Sequence, residues 1–183
     1  MNVLVVCFAN TCRSPVVEAF LARGFGPDTP IAVRSQGLAG GSGATPEALA
    51  TALTAKGLAL ASVPGERLTR EATHDADLVL FLERALLREV VVADPSIWPK
   101  SFTLREFARR GWLNPPAPDV ESFEEWRALL HAQRQRTDLL GSDASDDVSD
   151  PGLQGSVEAF EAMIDAIAPD CRKVVALLSA WTR

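Results

Sequence analysis

Residues 7–14 read CFANTCRS, which sets two cysteines, an arginine and a serine on one short stretch. Five residues separate Cys7 from Arg13, a spacing that lets a single loop present a thiol and a guanidinium to the same point. Such a loop can turn its successive N–H groups inward and cradle a tetrahedral oxyanion, helped by the positive end of a following helix. Arg13 closes the cradle with a planar fork able to hold two oxygens at once. Cys7 at the floor of such a cradle would face a bound phosphorus, where the same field favours thiolate over thiol. A Ser14 hydroxyl pointing back donates to that thiolate and steadies it as a leaving group. Asn10 suits left-handed or otherwise strained backbone, because its short amide bonds across the loop. Phe8, Ala9, Thr11 and Cys12 complete the expected substrate-binding string, with Phe8 placed to pack on an aryl ring. A buried cysteine after a strand is more often a small hydrophobe. The full string, rather than the Cys-to-Arg spacing alone, is what favours chemistry.

The flanking sequence supplies the elements that hold this loop. VLVV (3–6) is an unbroken apolar run of the kind buried on both faces of a parallel sheet. Ser14-Pro15 opens a helix, with Ser as cap and Pro at the first helical position, and Gly24 closes it. Further strands are expected at 31–35, 77–82 and, more weakly, 102–104. Helices are expected from Thr45-Pro46-Glu47 to Gly57, briefly after Thr69, and over 83–91. LREFARR follows the last strand as another. The segment 114–119, NPPAPD, must be a loop. Residues 122–136 read as an amphipathic helix, 141–152 as an acidic loop, and 155–181 as a helix interrupted or bent at Pro169. The alternation predicts a single-domain, doubly wound α/β fold: a four-stranded parallel sheet with helices on both faces. Residues 111–145 read as an insertion in it. Ligands in such sheets bind beyond the carboxyl ends of the strands, where the strand order reverses, and the Cys7 loop falls at such a place.

Composition bounds the rest. A net charge of −6 argues against general nucleic-acid binding, which wants a basic surface. No run approaches the roughly 20 apolar residues that span a bilayer, so no membrane association is expected. MNVLVVCFAN carries no basic leader and does not read as a secretory signal. Three cysteines, at 7, 12 and 171, do not suggest a disulfide framework, and the natural setting is cytoplasmic. His74 and His131 lie far apart and lack ligand companions, so neither a metal nor another cofactor is expected.

VCFANTCRSP resembles the V-C-x-G-N-x-C-R-S-P signature of the low-molecular-weight protein tyrosine phosphatases, with Ala9 where that family usually has glycine. The opening MNVLVVCFANTCRSPVVEAFL matches well, and VRSQG (33–37) and HDADLVLFLERALLREV (74–90) continue the likeness. The resemblance implies a cysteinyl-phosphate on Cys7, with Arg13 and the loop amides holding the oxygens. Asp150-Pro151 matches the family's late Asp-Pro, so Asp150 would protonate the leaving group and then activate water. Substrates would be phosphorylated protein, phosphotyrosine above all, or another phosphomonoester. Cys12 would act as a redox guard, catching oxidised Cys7 as a disulfide; its bland alternative is a small residue packing the loop. Cys171 reads as core, and Asp119, Asp143, Asp146 and Asp147 as solvated.

The chain departs from the family in its cleft. It contains no tyrosine, and Gly152 and Leu153 stand where members often carry aromatic residues. The glycine-rich 37–43 lacks a bulky aromatic, and a histidine common ahead of Thr69 is replaced by Val63 or a neighbour. The cleft would then be wider, or walled by Trp112 and Trp126 if these are not core, and phosphotyrosine activity modest. Two rivals remain. A thiol-dependent arsenate reductase would share the loop but needs further cysteines, and only Cys171 is left. A catalytically weak phosphate-binding or regulatory module would need neither Cys7 nor Asp150.

Overall fold

Val3, Val5 and Cys7 face one side of strand β1 (Asn2–Cys7) while Leu4 and Val6 face the other, and all five are buried. A strand buried on both faces needs helices on both sides, and the computed structural model supplies them. It describes residues 1–41, 43–60, 64–140 and 144–182. Strands β2 (Ala32–Gly37), β3 (Leu78–Phe81) and β4 (Ser101–Thr103) join β1 in one parallel sheet of order β2-β1-β3-β4. Helices α1 (Arg13–Phe25), α2 (Glu47–Ala55), α5 (Leu104–Leu113) and α8 (Val157–Ser179) pack the core on the Val5 face. Short α3 (Arg70–Asp75), α4 (Arg84–Ala93) and a 3-10 turn over Pro95–Lys100 cover the Leu4 face. This is the expected α/β architecture. Because β1 is followed in space by β2 on one side and β3 on the other, the strand order reverses beside β1. The loop leaving β1 and the end of β3 therefore open onto the same crevice.

Several local expectations are corrected. Helix α1 starts at Arg13 with Cys12 as its N-cap and no capping side chain. Ser14 cannot cap, because its hydroxyl is committed to the Cys7 sulfur. Gly26, at φ 78°, terminates the helix in place of Gly24. Helix α8 runs unbroken through Pro169: the proline lies on the exposed side, and buried Ile164, Ile167, Cys171 and Val174 keep the helix packed on both sides of it. The expected helix at 122–136 is two, α6 (Phe123–Ala132) and α7 (Arg136–Leu140). Between them Arg134 turns inward, pairs with Glu106 at 3.0 Å and donates to the Ser101 carbonyl at 2.8 Å, 4.4 Å from the Phe102 ring. Trp126 does not wall a cleft; it is buried beside Phe107 with its indole N–H on the Asn114 carbonyl. Trp112 is exposed. Among the described residues no helix is long and apolar enough to cross a membrane.

The Arg134 insertion has a titratable neighbour. His131 stacks edge-on against Trp98, and its Nδ1 lies 3.4 Å from Arg134 Nη1. Burial, and then the Arg134 charge, hold its pKa below the ordinary 6.5. As pH falls through 6.5 the unfolded chain therefore takes up a proton before the folded one does, and stability drops. His131→Gln keeps an acceptor without titrating. Its denaturant midpoint should fall less than the wild type's between about pH 7.5 and about pH 5.5.

Candidate active site

The loop from Phe8 to Cys12 wraps the end of β1, and its conformation is set by Asn10. This residue adopts φ 53°, a left-handed conformation that its amide makes tolerable by bonding on every side. Asn10 Nδ2 donates to Ser14 Oγ at 3.0 Å and to Ser35 Oγ at 2.8 Å. Its Oδ1 accepts the N–H groups of Gly65 and Glu66, both at 2.9 Å. Ser35 in turn donates to the buried Glu18 carboxylate at 2.6 Å. The glycine-rich exit of β2 backs the loop at close range. A Cβ on Gly37 would stand 2.5 Å from the Asn10 nitrogen, and one on Gly41 would stand 2.5 Å from the Ala9 carbonyl oxygen. Bulk is excluded there because the loop backbone occupies the space.

Cys7, 2% exposed, receives two hydrogen bonds at its sulfur, from the Asn10 N–H at 3.2 Å and the Ser14 hydroxyl at 3.0 Å. Both stabilise negative charge on sulfur. Among the described residues, no carbonyl accepts from the amides of Phe8, Ala9, Thr11, Cys12 or Arg13. Thr11 is buried, its hydroxyl donating to the Ala9 carbonyl at 3.3 Å, whereas Phe8 is 53% exposed at the mouth. Cys12 differs sharply from Cys7 in surroundings. Burial, then the nearby charges of Asp150 and Cys7, push its pKa up to about 12, so it remains a thiol at neutral pH. Cys171 is buried in the core, where desolvation raises its pKa further; it offers no thiol relay.

Arg13 is 3% exposed and is held by three partners. Its Nη2 pairs with Asp150 at 2.7 Å, its Nη1 donates to the Val148 carbonyl at 3.2 Å, and Nη1 also pairs with Glu83. The structure thus brings Asp150, expected from the late Asp-Pro, to the arginine of the loop. The carboxylate is 44% exposed and also accepts the Gly152 N–H at 2.9 Å. Glu83 escaped the sequence reading. Its signal was available: an acidic residue immediately past the third strand, at the edge where such sheets bind ligands. Asp146 and Asp147 are not solvated, as expected of loop carboxylates. Asp146 is buried between Arg84 and Arg109, and Asp147 accepts the Arg84 N–H at 2.7 Å. Asp119 is exposed, and Asp143 and Val63 lie outside the described residues. His74 pairs with Asp94.

Residues 2–136 match the family described as low molecular weight phosphotyrosine protein phosphatase. Wzb of Salmonella typhi, a low molecular weight protein-tyrosine-phosphatase, is 35% identical over 144 residues, which is 78% of this chain and 95% of its own. EpsP of Ralstonia solanacearum, a probable enzyme of the same kind, is 28% identical over 129 residues, or 70% of this chain and 88% of its own. Among solved structures, the YwlE arginine phosphatase from Geobacillus stearothermophilus superposes with a TM-score of 0.69 at 23% identity, covering 98% of this chain and 93% of its own. The tyrosine phosphatase Wzb from Escherichia coli K30, in complex with sulphate, gives 0.68 at 21% identity and 97% of each chain. These relatives are hydrolases, and this chain is an enzyme of their class. It belongs to the low molecular weight phosphotyrosine protein phosphatase family. Arsenate reduction is not favoured by any of these likenesses.

Proposed function

We propose that the protein hydrolyses phosphorylated side chains of proteins through a cysteinyl-phosphate on Cys7, with phosphotyrosine as the first substrate to test. The observation that carries this is the Cys7 sulfur, held by two hydrogen-bond donors beneath a loop whose remaining amides have no main-chain acceptor among the described residues. The thiolate attacks phosphorus; the S–P bond forms as the P–O bond to the leaving group breaks. Asp150 protonates the departing oxygen. Arg13 and the loop amides of residues 8–13 hold the equatorial oxygens. Water, deprotonated by Asp150, then attacks the phosphocysteine, and the sulfur leaves as thiolate onto the Asn10 N–H and the Ser14 hydroxyl. No metal or cofactor enters this sequence. Cys12 on the same loop is assigned as guard: its thiol condenses with a Cys7 sulfenic acid, expelling water and forming a disulfide. A thiolate nucleophile needs a reducing compartment, which supports a cytoplasmic setting.

A second reading, phosphoarginine, is favoured by the charge at the mouth. Asp150 and Glu83 are both partly exposed beside Arg13, and two carboxylates complement a cationic guanidinium leaving group better than a phenol. The neighbour described as YwlE arginine phosphatase shares the fold. The deciding experiment compares kcat/KM for a phosphotyrosine peptide, a phosphoarginine peptide and an aryl phosphate, all in the presence of a metal chelator. Hydrolysis that survives the chelator is expected. No turnover of any of the three, or turnover only with added divalent metal, would defeat the proposal. A phosphoarginine rate about tenfold or more above phosphotyrosine would move the substrate to the second reading.

A further inference from the structure

The segment carrying Asp150 is gripped by arginines that no step of the proposed reaction employs. Residues 145–148 are fixed at four points. Arg105, on α5, donates Nη1 to the Ser145 carbonyl at 3.1 Å and to the Asp147 carbonyl at 2.7 Å. Arg109, one turn on, reaches both oxygens of the buried Asp146 at 2.9 Å, and Arg84 pairs with the same carboxylate from the start of α4. Val148, itself buried, donates its N–H to the Leu82 carbonyl at 2.8 Å, just past β3. Asp150 follows only two residues later. Beyond this grip its carboxylate touches Arg13 and its own turn at Gly152.

An exposed ion pair contributes little, but this one is not exposed: Asp146 is 4% accessible, and withdrawing a cation leaves a buried carboxylate short of a partner. Arg105 acts differently, since it binds two main-chain carbonyls and so fixes backbone rather than charge. Its Nε also lies 3.6 Å from Asp170 on α8, which ties the strut to the long helix beneath.

We propose that Arg105, together with the Arg109–Asp146–Arg84 cluster, is a positioning device that sets the Asp150 carboxyl over the leaving group. The inference rests on the cysteinyl-phosphate reading above. Attack by Cys7 and capture of the oxyanion depend on the loop and on Arg13, which Glu83 holds from outside this segment, whereas Arg105 reaches the chemistry through the backbone that carries Asp150. Loosening the grip therefore impairs proton delivery, and the loss grows with the basicity of the departing group.

The test measures kcat/KM across aryl phosphates ranging from dinitrophenyl to unsubstituted phenyl, for wild type, Arg105→Ala, Arg105→Lys and Arg109→Ala. Inhibition by inorganic phosphate and the thermal midpoint are followed alongside. In Arg105→Ala, phenyl phosphate should lose about 10- to 100-fold while the dinitrophenyl ester stays within about threefold. Inhibition by inorganic phosphate should not move. Arg105→Lys, which keeps a donor, should recover part of the loss. Arg109→Ala leaves Arg84 still paired with Asp146, so its variant should show the same trend at smaller amplitude. An equal loss across the series, or no loss in either alanine variant, overturns the inference while leaving the catalytic reading intact. A wild type inactive on every ester overturns that reading and this inference with it.

Discussion

Cys7→Ser should abolish turnover yet leave oxyanion binding in place. The sulfur accepts from the Asn10 N–H and the Ser14 hydroxyl, an arrangement that favours an anion at this atom. A serine hydroxyl in the same position stays protonated, because two hydrogen bonds cannot offset the far weaker acidity of an alcohol. The nucleophile is lost, and kcat/KM for an aryl phosphate should fall by about four orders of magnitude or more. Cys12 cannot substitute: burial and neighbouring negative charge hold its pKa up at about 12. Phosphate binding should persist, since the loop amides and Arg13 that hold the oxyanion remain. Calorimetry with inorganic phosphate checks this arm. Retained turnover in Cys7→Ser would remove the cysteinyl-phosphate, and lost phosphate binding would mean that the substitution had broken the loop.

How much of this was legible follows from the range over which each residue acts. The apolar run at 3–6 announces a doubly buried strand because burial on both faces leaves no polar alternation to confuse it. The network of residues 7–14 was readable for a related reason. Asn10, Ser14 and Cys7 bond to one another within seven positions, so the contacts are local. Local reasoning failed where a distant partner claims a side chain. Ser14 looks like a helix cap until the sulfur takes its hydroxyl. Residues 122–136 hold a helical pattern throughout, but Arg134 abandons it for Glu106, 28 positions earlier. Pro169 reads as a helix breaker, and tertiary packing of α8 overrides it.

The same rule separates the parts of the site. The place of Asp150 beside Arg13 was legible because proline marks it and the family likeness points to it. Glu83 was missed because its role depends on β3 ending beside the Cys7 loop, a fact of strand order rather than of spacing. Asp146 and Asp147 lie in a stretch whose composition suggests a solvated acidic loop. Their arginine partners sit on α4 and α5, some 37 to 63 residues earlier, and no pattern in either segment declares the pairing.

Arg13→Lys, though it conserves charge, should give the next largest loss after Cys7→Ser. The guanidinium meets Glu83 and the Val148 carbonyl through Nη1 and Asp150 through Nη2, so its fork is oriented from three sides before any substrate arrives. A lysine ammonium is shorter and a point charge. It cannot hold two phosphoryl oxygens in parallel, nor face both carboxylates at once. Losing one preorganised donor at a developing charge costs about 100- to 1,000-fold, and a point charge cannot engage Glu83 and Asp150 together as the fork does, so it shields an incoming phosphate from them less well. Both terms act on the transition state and on the bound oxyanion, so kcat/KM and phosphate affinity should fall together. Cys7→Ser separates the same two quantities. Adding Glu83→Gln to Arg13→Lys should recover part of the phosphate affinity by removing one repulsive charge, and should recover little of the rate, because the fork is still missing. If Arg13→Lys alone keeps wild-type phosphate affinity, the loop amides suffice to hold the oxyanion and Arg13 serves only to orient Asp150.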